Sequence, residues 1–418
     1  MSGAAGRRIV FLSLSAMNTP SLFAFDGALS RPVLERYLSR SITMSSLADS
    51  PNLEEDLRML RNIGAKFVGR AAYVWSQDRE EEAHFRRAGE VIQKYRPHDP
   101  DTVFQAAVFE GVAEHVTSRE FIPAWVFEEF GQPAEERTFC YEAMLYDADC
   151  QPGPLVKWRP HVGNNWMRDY FGDSSVPDMS KPETQMWFYY RARRYIDIGY
   201  EALHLGQVHL MNANDPDLRH WWRLLERIRS YAKKHARRHY VILDAHTHGI
   251  ALPDGRLLFD FHSYPQHIKD VIEYPGQGVL ELDIRNAIYG KSLGGQTPSG
   301  WTCESLPYLV EFDNYGSSGK PDTHLDERMW VWGCDEISWF ARQPEAYRNH
   351  YLRYAWERIP ELDPHGFLQM PGARVLAEPT RGLHRYRANT PSPACPNGFG
   401  QEETIKTIWE SHPRLAGR

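Results

Sequence analysis

Glu311 and Asp313 close an apolar run inside the stretch LPYLVEFDNYGSSG (306–319), with Asn314 and a Gly/Ser loop directly after them. Side chains alternate along a strand, so both carboxylates leave the strand end on the same side. A pair of acids can divide proton-transfer work: one stays protonated as general acid, the other ionised as base or nucleophile. Acids at a strand end followed by a loop make a candidate catalytic rim. The plain alternative is a strand end with solvated acids and a turn.

Other predicted strand ends carry similar groups. Glu110 ends the third, Gln207 and His209 the fourth, and Asp244, His246 and His248 the fifth. Asp260 and His262 end the sixth, and Asp335 and Glu336 the eighth. One polar strand end is ordinarily structural, but six consecutive ones point to a shared mouth. The run Asp244-Ala245-His246-Thr247-His248 also places two imidazoles on one strand face, where they could meet one metal ion with His262 and Asp335. HxH is similar to metal-dependent amidohydrolases, although there it normally ends the first strand rather than the fifth.

Eight strands are predicted to position these groups: 41–44, 66–75, 102–110, 201–211, 239–246, 257–263, 308–313 and 329–336. Helices fall between most of them, at 51–64, 78–95, 121–130, 182–199, 215–238 and 345–359, with a short closing helix at 402–409. In the first helix Leu53, Leu57 and Leu60 share one face and Gly64 stops it. Short apolar strands followed by helices imply parallel pairing through right-handed crossovers. Eight such units predict an α/β fold, a (β/α)8 TIM barrel, with its site at the strand C-termini. A doubly wound sheet is the alternative, but the chain has neither GxGxxG opening a helix nor GxxxxGK[ST]. The expected organisation is an N-terminal segment (1–40), a catalytic barrel (41–363) with a Pro/Gly/Asp-rich insertion (132–182), and a C-terminal extension (364–418). The insertion carries Trp158, Trp166, Tyr170 and Phe171 and could wall a pocket.

Acids at strand ends, with 13 Trp and 21 Tyr, resemble TIM-barrel glycoside hydrolases over roughly residues 40 to 370. The resemblance is architectural and implies hydrolysis or transfer of a glycosidic bond, without a cofactor, on a small carbohydrate or oligosaccharide. In many such enzymes the acid/base is a Glu after strand four and the nucleophile a Glu after strand seven. Glu311 matches the second position. Strand four offers Gln207 and His209 but no carboxylate, so Glu110 is paired with Glu311, and Asp313 and Asp335 are reserves. Trp75, Trp301 and Trp332 are candidate sugar platforms. Gln207, His209, Asp244, His246, His262, Asn314 and Glu336 are candidate substrate contacts. Glu311→Gln is expected to abolish turnover and leave folding intact. The alternatives are a metal-dependent hydrolase or sugar isomerase barrel, and a barrel that binds carbohydrate without cleaving it.

Composition bounds the partners. Net charge is −7, which argues against a nucleic-acid backbone as ligand. No apolar run approaches the roughly 18 residues of a membrane span. The five cysteines (140, 150, 303, 334, 395) have no CxxC spacing, so free thiols are expected, with Cys140–Cys150 the pairing open to an oxidising compartment. Arg7-Arg8 followed by IVFLSLSA is a weak leader signal without a clear cleavage site, which favours a cytoplasmic location over export. A homo-oligomer is compatible with these features.

Overall fold

The computed structural model describes residues 21–75, 80–147, 174–247, 249–271, 273–274, 276–281, 292–314 and 335–411. Its centre is a ring of eight parallel strands: β1 (Ser41–Met44), β2 (Phe67–Ala72), β3 (Val103–Ala107), β4 (Ala202–His204), β5 (Ile242–His246), β6 (Phe261–Pro265), β7 (Tyr308–Glu311) and β8 (Gly366–Thr380). Each pairs with the next, and β8 pairs back onto β1 with Ile42 opposite Met370, which closes the sheet as a (β/α)8 barrel. A ninth strand, β9 (Leu383–Arg387), runs antiparallel on β8.

The closing strand differs from the expected one. Residues 329–334 lie outside the described residues, Asp335 caps a helix, and Glu336 opens it (α6, below). The barrel therefore runs on to Thr380, and the segment after residue 363 is part of the wall rather than an appended extension. The sequence disguises this strand because Pro371, Gly372 and Pro379 interrupt its apolar pattern.

Eight helices of seven residues or more surround the ring among the described residues: α1 (Arg31–Leu38), α2 (Leu53–Ile63), α3 (Glu81–Tyr95), α4 (Pro182–Asp197), α5 (Arg219–His235), α6 (Glu336–Arg342), α7 (Glu345–Leu362) and α8 (Glu402–Ser411). In α2 the acids Glu54, Glu55 and Asp56 occupy the first turn, where the helix dipole favours them, and Gly64 ends it at φ 70°. Leu57, Leu60 and Ile63 are buried against the strands.

A second apolar cluster fills the floor of the barrel. Phe67, Val103, Ala202, Ile242, Phe261, Leu309 and Phe367, one from each of seven strands, meet Leu34, Tyr37 and Leu38 of α1. Fully burying one large side chain stabilises by about 1.5–3 kcal/mol, so the N-terminal segment is a plug rather than a leader remnant. Period two along each strand then fixes the next inward layer, two residues on: Gly69, Gln105, His204, Asp244, Ser263, Glu311 and Gln369. That layer is polar, and the site stands on it.

Candidate active site

Asp244 is buried at the centre of this layer and accepts from Gln105 Nε2 at 2.5 Å, Ser263 Oγ at 2.8 Å and His204 Nδ1 at 2.9 Å. Because a carboxylate here only accepts, His204 carries its proton on Nδ1. Burial first, then Arg70 and His246, push the His204 pKa well below its usual value, so the ring is neutral. Burial pushes Asp244 up to about 7 despite its donors. Gln105 Oε1 also accepts from the Arg70 backbone N–H at 3.1 Å, and Gln369 bonds Ser41 and Thr43. Gly69 leaves room for this packing: a Cβ there would sit 2.7 Å from Gln369 Nε2.

The charged groups sit at the strand C-termini. Glu311 is fully buried; its Oε1 lies 2.5 Å from both Arg70 Nη2 and His246 Nε2, and its Oε2 takes Arg374 Nη1 at 3.2 Å. Asp313 accepts from Arg374 Nη2 at 2.5 Å, with Arg70 Nη1 at 3.8 Å. Burial alone would raise Glu311, but Arg70 and His246 outweigh it and hold the carboxyl at about 2. Asp313 is held well below the carboxylate range in the same way, burial being outweighed by Arg374, His246 and Arg70.

Arg70 reaches this cluster through its backbone. Gly69 already occupies the inward position of β2, so regular alternation would turn Arg70 outward. Its φ is 53°, and the β2–β3 register shifts between Val68 and Ala72. Such an irregularity re-aims a side chain, and left-handed backbone at a non-glycine is kept where the surroundings hold it.

The aromatic rim follows β2 and β3. Phe109 lies 5.1 Å from Tyr73, 5.0 Å from Trp75 and 5.6 Å from His204, ring centre to ring centre. Trp75 fits because residue 111 is glycine: a Cβ there would fall 2.5 Å from Trp75 Nε1. Glu110, two per cent exposed, follows Phe109 and accepts from Gln207 N at 3.0 Å and Gln207 Nε2 at 2.9 Å. Gly206 (φ 65°) makes this approach possible, since a Cβ there would sit 2.0 Å from Glu110 Oε2. Gly206→Ala is expected to displace Glu110 and to strain the backbone by about 1–2 kcal/mol. Turnover should fall further than the loss of folded protein accounts for, measured as activity per folded molecule against thermal melting; unchanged turnover would remove Glu110 from the site.

The remaining expected site residues divide. His246, Asp244 and Asn314 belong to the cluster; Asn314 Oδ1 accepts from Arg374 Nη2 at 3.2 Å. Gln207 and His209 are not strand residues: Gln207 precedes and His209 lies within a single 3-10 turn (Val208–Leu210) after β4, with His209 Nε2 2.6 Å from Thr247 Oγ1. His262 faces away from the lumen, since its neighbours Phe261 and Ser263 face in, and its Nδ1 lies 3.1 Å from Ser292 Oγ. Ser292 sits in a G-x-S-x-G run (290–294), yet it is buried with His262 outside the lumen and is no exposed nucleophile. Asp260 precedes β6 and accepts from the Leu243 N–H at 2.8 Å. Trp301 is at the opposite end, donating to Leu29 O at 2.9 Å and packing on the floor cluster, so it is no platform at this mouth. Asp335 is a helix cap that accepts from Ser338 N at 2.7 Å, not a reserve acid. Glu336 is a buried brace that accepts from Gln266 N, Ile268 N and Asp313 N at 3.0–3.3 Å, and burial pushes it up to about 8. Trp332, His248 and the insertion's Trp158, Trp166, Tyr170 and Phe171 lie outside the described residues. Arg70, Arg374, His204, Gln105 and Phe109 are the site residues the sequence reading misses.

Among the described residues no three His, Cys, Asp or Glu groups converge in a way that could hold a metal ion. Glu311 and Asp313, the acids nearest His246, already face guanidinium groups, which oppose a cation there. Among the described residues no helix is long and apolar enough to cross a membrane.

No protein-family model matches the chain, and no curated protein matches it. Solved structures that it resembles include the glycoside hydrolase domain of PelA from Pseudomonas aeruginosa, at 14% identity and a TM-score of 0.33 over 79% of this chain and 93% of that one. The native Nostoc punctiforme debranching enzyme gives 12% identity and 0.42 over 93% of this chain and 78% of that one. Trehalose-6-phosphate hydrolase (TreA) from Bacillus licheniformis gives 10% and 0.37 over 66% and 57%. The likeness is one of fold, at the level of the superfamily.

Proposed function

We propose that this barrel is a carbohydrate-active enzyme that hydrolyses or transfers a glycosyl group, with Glu311 as the ionised carboxylate and Glu110 as the proton donor. The observation that carries the reading is Glu311 itself: a buried carboxylate at the catalytic end of the barrel, kept charged by Arg70, His246 and Arg374. Glycosyl chemistry needs such a negative charge beside the oxocarbenium-like transition state. Glu110 follows β3 and Glu311 ends β7, four strands apart in an eight-stranded ring, so the two acids approach the mouth from opposite sides. Each oxygen of Glu110 accepts one bond from Gln207 and keeps a lone pair for a proton. Tyr73, Trp75 and Phe109 supply flat apolar faces for a sugar ring.

A second reading, carbohydrate binding without cleavage, draws on the fact that both Glu311 oxygens are already engaged. A screen of natural glycans and aryl glycosides with product analysis separates the two. Release of a reducing sugar or a transfer product, lost in Glu110→Gln, is the expected result. Saturable sugar binding with no bond cleavage across the screen would overturn the enzymatic reading in favour of the second.

A further inference from the structure

Beside the mouth, on the side of β1, β2 and β8, lies a cavity of about 590 Å3 lined by Ser46, Asn52, Tyr73, Val375 and Arg385 among others. Its position follows from the chain: Tyr73 packs on Phe109, and Val375 adjoins Arg374, which holds Glu311. The charges around it are unequally matched. Arg387 Nη1 bonds both oxygens of Asp56, at 2.7 and 2.6 Å. Asp49 is met by Arg87 at 2.8 Å. Arg385 has no such partner: among the described residues its side chain makes no hydrogen bond or ion pair, and its Nε is buried with no acceptor. Burial first, then Arg387, push its pKa down. A buried, unpaired polar atom of this kind costs free energy unless a ligand supplies the missing acceptor.

We propose that Arg385 is the anchor of a subsite for a carboxylate on the carbohydrate, so that the substrate is a sugar acid of the uronate type. The proposal rests on the carbohydrate reading above. A guanidinium presents two parallel N–H donors, which match the two oxygens of a carboxylate. One uncompensated positive charge suits a monoanion, and Asp49 in the same wall opposes a phosphate dianion. Val375, 45% exposed, and the half-buried Tyr73 ring offer apolar contact for the sugar body.

The test is equilibrium binding of D-glucuronate, D-glucose and D-glucose 6-phosphate to the full chain, by calorimetry or ligand-observed NMR at low salt. A charge-assisted bidentate contact gives roughly tenfold to hundredfold, so glucuronate should bind that much more tightly than glucose. Arg385→Gln should erase the preference with the melting temperature nearly unchanged, and Arg385→Lys should keep part of it. Equal affinity for glucuronate and glucose, no saturable glucuronate binding, a preference that survives Arg385→Gln, or tighter binding of the phosphate ester would each overturn the proposal. The two readings fail separately. Arg385-dependent uronate binding without any glycosidic turnover would count against the enzymatic reading alone. Turnover of neutral glycosides as fast as of uronides would count against this subsite alone.

Discussion

Glu311→Gln is expected to lower turnover by on the order of a thousandfold or more while the protein still folds, as removal of a group that acts only in the transition state does. The sequence alone suggests that this swap is structurally silent, and the ion network corrects that view. Glu311 is the shared acceptor of Arg70, His246 and Arg374, all buried or nearly so. Taking one partner from a buried charge pair destabilises by about 3–5 kcal/mol. Asp313 remains beside both arginines, so a loss of about 3 kcal/mol, near the lower end, is the expectation here. Activity must therefore be read per folded molecule, at a temperature below the lowered melting point. Glu311→Ala separates chemistry from stability further. It leaves a hole flanked by cationic groups, which formate can enter, so added formate should raise both melting temperature and turnover. A folded Glu311→Gln variant with wild-type turnover would show that this carboxylate belongs to the scaffold.

The same network shows which parts of the molecule were legible before any coordinates. Parallel strands with intervening helices, and Glu311 and Asp313 leaving β7 together, follow from period-two alternation, a property of the backbone that needs no tertiary information. His246 and Asp244 follow by the same rule. His262 fails because a strand end was inferred without its phase: Phe261 is one of the floor residues, so its neighbour must turn outward. The closing strand fails because its Pro and Gly residues break the apolar pattern, while the acids at 335 and 336 imitate a strand end. Arg70 was legible in one respect, as a charge in the middle of the buried run KFVGRAAYVW. Its direction was not, because that depends on a left-handed residue and a register shift created by pairing with β3. Trp301 shows the limit of composition: an aromatic residue can serve the floor as well as the mouth, and only topology decides.

Acid should unfold this protein in a way that reports on the mouth. Glu311 titrates at about 2 in the folded chain against 4.5 in the unfolded one. A depressed carboxylate binds its proton less tightly when folded, so its contribution is complete above pH 4.5 and disappears as the pH falls towards 2. The difference corresponds to about 3 kcal/mol, and Asp313, displaced in the same direction, adds to it. Asp244 and Glu336 act with the opposite sign. Burial raises them to about 7 and about 8, so the stability they allow is present when they are protonated and is lost as the pH climbs through those values. The two trends together place maximal stability between pH 4.5 and about 7. Urea unfolding from acid to mildly alkaline pH measures this curve directly. Glu311→Gln should flatten the acid limb and leave the alkaline limb in place, because Asp244 and Glu336 do not hydrogen-bond residue 311. An acid limb equally steep in wild type and variant would mean that the arginines at the mouth do not hold Glu311 in its charged form, and the electrostatic basis for its catalytic role would fall with it.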